Sequence, residues 1–463
     1  MTGHRYGVLR AGLAVVVVLA LAGPCAAGKT AGGYVVVVSK ATYDKDDWRK
    51  VVDALKARHG ADVCRYGESV SEALVGLKKH FPKYACFVAT PAEAGKTFVA
   101  DVHQLTRKLD DDPYTDLFWG ILTGYDAGNA LAIASHTTPL VVRKVASGTE
   151  FATEMCTEGQ WYDELVKNKH VRKTPGGKAE QLKGPDDTTK ALVDTLNVYK
   201  ADLFITSGHA TQRDWQIGYR YRNGSFRCKD GRLYGLDTRR RRHDVTSPNP
   251  KVYLPIGNCL MGHIDSTQAM ALAWMNSAGV MQMMGYTVPT WFGYGGWGCL
   301  DYFVEQPGRY TFTEAFFANH HALVHRLATE FAGADPRSRR SPARGLLYDR
   351  DTVAFYGDPA WSARMAPGPV AWQQTLTEAD GRFTFRITPK RGEKTFRPIN
   401  TNGSQRGYRP IVAFLPHRVT DVKVLEGADL KPTVTDTFLL IPNPRTCDPD
   451  REYKVVFTAE PIR

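Results

Sequence analysis

No apolar run in this 463-residue chain reaches the ~20 residues that a membrane-crossing helix needs. The longest spans Ala11 to Ala22, so the mature chain is expected to carry no transmembrane segment. No two cysteines, and no cysteine with a histidine, stand at zinc-finger spacing, which argues against a structural zinc site. Charge of one sign is not concentrated either: 60 Lys and Arg against 48 Asp and Glu give +12, a moderate excess on a long chain rather than a histone-like density. That balance suits contact with an anionic cell surface, and nucleic acid is not expected as a partner. With 43% hydrophobic residues, disorder as the main state is excluded, and the length accommodates roughly three domains.

The apolar run itself follows His4, Arg5 and Arg10 and leads into small residues up to Gly28. This is the order of a secretory signal, so residues 1–27 are expected to be removed and the chain to be secreted or held in the periplasm or cell envelope. Cys25 leaves with the signal, and the seven cysteines that remain are an odd set in a compartment where disulfides persist, so at least one thiol stays free.

From Tyr34 short apolar runs alternate with helical periodicity. Tyr34 to Ser39 reads as a buried strand, and Trp48, Val51, Val52 and Leu55 then recur as one helix face. The pattern repeats through a strand near Val63, a helix with Val70, Leu74, Leu77 and Phe81, a strand from Tyr84 to Ala89, and a helix with Phe98, Val102, Leu105 and Leu109. Such order implies an α/β fold with a mainly parallel sheet flanked by helices. Lys167 to Asp187, rich in Lys, Gly and Pro, reads as an exposed connection, and Arg239 to Arg242 and Arg337 to Arg344 read as solvated basic loops. After the linker Ala366-Pro367-Gly368-Pro369 the chain turns to alternating runs such as Phe383, Phe385 and Ile387, which predict a small β-sandwich.

Two strands of the second α/β unit run into small-residue turns that carry reactive side chains. They are Leu203-Phe204-Ile205-Thr206-Ser207-Gly208-His209 and Val252-Tyr253-Leu254-Pro255-Ile256-Gly257-Asn258-Cys259. Sites in open α/β sheets collect at the carboxyl ends of strands, so imidazole and thiol can face one cleft, as in a Cys/His hydrolase. Gly208 and Gly257 permit the tight backbone that turns peptide N–H groups toward an oxyanion. Asp265 with Gln268 is expected to cap a helix starting near Ser266.

In these residues the chain resembles the gingipain-like cysteine peptidases, a branch of the caspase-like fold. The match rests on Thr206-Ser207-Gly208-His209-Ala210-Thr211 with Trp215, on Ile256-Gly257-Asn258-Cys259-Leu260-Met261-Gly262-His263-Ile264-Asp265, and on Val353-Ala354-Phe355-Tyr356-Gly357-Asp358-Pro359. The interval of fifty positions from His209 to Cys259 agrees with caspase spacing, although the Gln-Ala-Cys signature is absent. The resemblance implies a first α/β subdomain over 28–180, a catalytic subdomain over 181–365 and an immunoglobulin-like β-sandwich over 370–463. It implies a cysteine endopeptidase acting on protein or peptide, with Cys259 as nucleophile and His209 as proton carrier. The backbone N–H groups of Ala210 and Cys259 would hold the oxyanion, and Trp291 and Phe292 would wall the pocket for the residue before the cut. A basic residue there would need a buried acid, for which Asp214, Glu150, Glu154 and Glu158 are all candidates.

Ala210 departs from the family, which has Gly at that place. It keeps open a second reading, a catalytically inactive secreted or cell-surface binding protein with a peptidase-like fold. No cofactor is required, with calcium admitted as a structural ion. Asp110-Asp111-Asp112 lacks the ligand spacing of an EF-hand and reads as a solvated turn. Cys259, His263 and His209 as metal ligands would silence the thiol, and no metal is assigned to them.

Overall fold

The computed structural model of the chain describes residues 32–335, 341–403 and 405–462. The expected signal at 1–27, with Cys25, lies outside them.

Tyr34–Ser39, Asp62–Tyr66, Tyr84–Val88 and Phe118–Leu122 are parallel strands, each followed by helix. Val35 to Val38 are all buried. Successive side chains point to opposite faces, so both faces of this strand are covered, and a continuous apolar run is the result. Helix Asp46–His59 turns Trp48, Val51, Val52 and Leu55 inward, as the periodicity predicts.

These strands belong to a twelve-stranded sheet. Its order is Asp62–Tyr66, Tyr34–Ser39, Tyr84–Val88, Phe118–Leu122, Val353–Tyr356, Val280–Tyr286, Lys251–Pro255, Leu203–Thr206, Lys144–Ser147, Glu158–Tyr162, Lys169–Lys173, Glu180–Lys183. Val280–Tyr286 meets Val353–Tyr356 antiparallel, so the parallel strands on the two sides of this junction run in opposite directions. The boundary expected near residue 180 is not a boundary of this sheet: Lys144–Ser147 pairs with Leu203–Thr206, and Val353–Tyr356 with Phe118–Leu122.

Three local expectations are corrected. The stretch 167–187 is not mere connection but carries the antiparallel edge strands Lys169–Lys173 and Glu180–Lys183. The latter is exposed throughout, and its charged residues suit a sheet edge that must not pair further. The helix expected from Ser266 starts at Met270 without a side-chain cap, because its first N–H donates to the Gln212 carbonyl at 2.9 Å. Asp265 instead pairs with Arg213 at 2.7 Å. The basic segment 337–344 lies partly outside the described residues, and from Pro342 it is helix Pro342–Arg350, capped by Ser341.

The C-terminal region forms two antiparallel sheets, of four and three strands. Phe383, Phe385 and Phe457 of the larger and Ile411, Leu439 and Ile441 of the smaller share one core. The smaller sheet alternates: Val412, Phe438 and Leu440 face the other way, into the core of the α/β region. It is thus a wall common to both domains. Arg406 and Arg409 add buried ion pairs to Asp301, at 2.7 and 2.9 Å. The seven cysteines of the described residues are all free thiols, and no helix among those residues is long and apolar enough to cross a membrane.

Candidate active site

Leu203–Thr206 and Lys251–Pro255 are adjacent parallel strands in register, Thr206 beside Pro255. Their carboxyl ends therefore lie at one edge, and His209 and Cys259 follow within three and four residues.

The His209 turn is built by Gly208 and Trp215. Gly208 holds a left-handed backbone at φ +92°, a conformation that costs glycine nothing. Trp215 is fully buried, stacks on Phe226 and donates its indole N–H to the Ser207 carbonyl at 2.7 Å. Its ring leaves no room for a Cβ at Gly148, which would stand 2.5 Å away. The Gln216 N–H donates to the His209 carbonyl at 2.9 Å, closing the turn and leaving the imidazole exposed against the Tyr219 ring, 4.8 Å between centroids.

The Cys259 turn is tied to the first by Asn258. This buried amide accepts the Thr206 hydroxyl at 2.6 Å and donates to the Gly208 carbonyl at 3.0 Å, so one side chain holds both strand ends. Leu260, directly after the thiol, adopts φ +57°, a left-handed conformation uncommon for a side chain of this kind. Its N–H donates to the Val288 carbonyl at 3.1 Å. The Cys259 sulfur is half-buried and accepts the Thr290 N–H at 3.2 Å. It makes no hydrogen bond to His209 in this structure.

Among the described residues, neither the Ala210 N–H nor the Cys259 N–H donates to a protein acceptor. Ala210 is not left-handed: the positive φ falls on Gly208. Alanine is thus accommodated without strain, and its N–H remains a free donor.

Trp291 is 53% exposed, 5.6 Å from the Tyr348 ring. The Tyr348 hydroxyl donates to the Pro289 carbonyl at 2.9 Å, in the loop that carries Thr290. Phe292, its ring 5.7 Å from that of Trp291, packs on helix Pro342–Arg350, where a Cβ on Gly345 would be 2.3 Å from its ring. Of the four acids considered from sequence, Glu150 is engaged by Asn400 and Asn402 at 3.3 and 3.0 Å. An acid that sequence reasoning missed, Glu164, stands behind the turn: its Oε1 accepts Thr149 at 2.8 Å, and its Oε2 lies 3.0 Å from where a Gly208 Cβ would be. Burial pushes its carboxyl up to about 7. Asn258, Thr290, Tyr219 and Tyr348 were also missed; Asn258 alone carried a signal, as the direct neighbour of the thiol.

Cys259, His263 and His209 do not form a metal-ligand group. Among the described residues the one group close enough to share a cation is Asp110, Asp112, Asp116 and Asp436.

No protein-family model matches this chain, and no curated protein matches it. Among solved structures, the chain is similar to the crystal structure of the Arg-specific cysteine proteinase gingipain R, at 12% sequence identity and a TM-score of 0.45, over 94% of this chain and 97% of that one. At that similarity no residue's role passes from one chain to the other.

Proposed function

We propose that this chain is an exported cysteine endopeptidase with a caspase-like α/β region and an immunoglobulin-like C-terminal sandwich, acting on protein or peptide substrates through Cys259 and His209. The observation that carries this reading is the coincidence at one sheet edge of an exposed imidazole, a thiol that accepts a backbone N–H, and two unpaired backbone donors.

In the reaction, the Cys259 thiolate attacks the scissile carbonyl carbon and forms a C–S bond. Before attack the sulfur accepts the Thr290 N–H at 3.2 Å, which fixes its place at the sheet edge. The carbonyl oxygen takes up negative charge between the N–H groups of Ala210 and Cys259. His209 accepts the thiol proton and delivers it to the amine, which leaves as the C–N bond breaks. Water, deprotonated by the same imidazole, then cleaves the thioester. A thiol and imidazole not yet in contact are compatible with this, since catalytic hydrogen bonds often tighten only when substrate binds. Tyr219 and Trp291 offer exposed aromatic faces on either side for the peptide. Glu164 is the acid we assign to a preference for Arg or Lys before the cut.

The test is cleavage of a peptide library by the mature protein under reducing conditions, with Cys259→Ala as control. Cleavage after basic residues that disappears in the variant is expected. A folded wild type that cleaves nothing, with or without calcium and after limited processing, would favour the inactive binding protein instead. Glu164→Gln should raise KM for basic substrates at least about 10-fold while sparing neutral ones.

A further inference from the structure

We infer that Asp110, Asp112, Asp116 and Asp436 form a calcium site that fastens the C-terminal sandwich to the α/β region. The site is far in kind from the Cys259 edge and rests on none of its chemistry.

Each of the four residues offers a carboxylate oxygen within 4.8 Å of the others. Calcium holds oxygen ligands at about 2.3–2.6 Å, so opposed ligands stand about 4.6–5.2 Å apart, and the cluster has that span. Magnesium, with ligands at about 2.0–2.1 Å in a strict octahedron, demands a tighter one. A second observation points the same way. Asp116 is only 6% exposed, and both of its carboxylate oxygens are buried without a hydrogen-bond partner among the described residues. Buried carboxylates are ordinarily paired or bound to metal.

The other members are arranged to leave oxygens free. Asp110 and Asp112 each use one oxygen to accept a backbone N–H, from Asp112 at 3.0 Å and from Tyr114 at 2.7 Å. Asp436 gives Oδ2 to Arg418, and its Oδ1 is buried and unpartnered. The hydroxyl oxygens of Thr115 and Thr437, next along the chain from these acids, are likewise buried without partners. All are hard oxygen donors, the set calcium prefers over softer metals. A divalent cation at the centre would place positive charge among these carboxylates.

Position gives the site its consequence. Asp116 leads into the strand Phe118–Leu122, and Asp436 sits in the turn before Phe438–Ile441, the sheet that walls both domains. The Tyr114 and Phe438 rings touch beside it, 4.9 Å apart. A cavity of about 410 Å³ at the same seam is lined by Thr115, Asp116 and Thr437 and gives an ion a way in. Three ligands from one domain and one from the other make the cation a clasp between them.

The full-length protein, freed of metal with chelator, should bind one Ca²⁺ per chain in a calorimetric titration. Calcium at a hundredfold excess over Kd should raise its Tm by about 3 °C relative to EDTA. Asp116→Asn should weaken Ca²⁺ at least about 100-fold and abolish the Tm response, yet melt in EDTA no lower than the wild type, because it also removes the repulsion. Asp436→Asn provides the same comparison from the other domain. Absence of Ca²⁺ binding up to about 10 mM, preference for Mg²⁺, or wild-type Ca²⁺ affinity in both variants would overturn the inference.

Discussion

Two polar clusters at strand ends treat their hydrogen-bonding groups in opposite ways. At Asp358, within the Gly-Asp-Pro segment, the fully buried carboxylate is satisfied all round: by the Tyr34 hydroxyl and His59 Nε2 at 2.8 Å, the Ala360 N–H at 2.9 Å and Arg58 at 3.0 Å. Burial alone would raise its pKa, but the His59 hydrogen bond and the charges of His59 and Arg58 outweigh it and hold Asp358 below the usual range. At the other edge, the imidazole of His209 is exposed and the N–H groups of Ala210 and Cys259 are unpaired. The first arrangement joins the strand Tyr34–Ser39, the helix Asp46–His59 and the segment after strand Val353–Tyr356. The second leaves groups without protein partners and open to a ligand. Satisfied polar groups mark where the fold is held, and unsatisfied ones mark where chemistry can occur.

Breaking each cluster should give opposite phenotypes. Cys259→Ala is expected to lower kcat/KM for peptide cleavage at least about 10⁴-fold while leaving the denaturant midpoint within error. Asp358→Ala should do the reverse, costing about 3–5 kcal/mol of stability by urea unfolding, since it removes the carboxylate that pairs with the largely buried Arg58.

Acid should expose a third group that belongs with the structural side. His103, His320 and His321 are fully buried, and burial holds His103 down to about 4 and His321 down to about 3. The unfolded chain binds protons on these rings near pH 6.5, which the folded chain does not. Their neutral packing is therefore fully stabilising above pH 6.5 and is progressively lost as pH falls toward 4, by on the order of 3 kcal/mol for His103. Unfolding curves from pH 8 to 4 check this; replacing His103 with Leu should flatten the slope.

The smallest effect sharpens the comparison most, because Asn258 belongs to both sides. Asn258→Ala should cost about 1–3 kcal/mol of stability and lower kcat by at least about 10-fold with little change in KM, since it unties the two turns without touching the substrate pocket. Steady-state kinetics alongside thermal melts separate the two contributions.

Much of this architecture was readable from local pattern. The first strands and helices announce themselves through apolar runs and the spacing of Val51, Val52 and Leu55, because each must bury one continuous surface. The edge strands at 169–183 did not, since an exposed edge needs no apolar face. Phe292 was grouped with Trp291 on the strength of the resemblance, and its packing against Gly345, 53 positions further along the chain, had no local signal. The same holds for Glu164 behind Gly208 and for Asp436 beside Asp116. These meetings are made by strand order, which periodicity does not encode. That His209 and Cys259 follow neighbouring strand ends was legible because each comes after a recognisable apolar run and a glycine turn.

The central claim is that Cys259 is a nucleophile served by His209. Its most direct test is covalent trapping of the wild-type protein with a peptidyl acyloxymethyl ketone ending in Arg, read by peptide mass spectrometry. The account predicts a single adduct on Cys259 whose formation is slowed at least about 100-fold in His209→Ala. Labelling spread over Cys64 and Cys228, or a rate on Cys259 that is indifferent to His209, would contradict it.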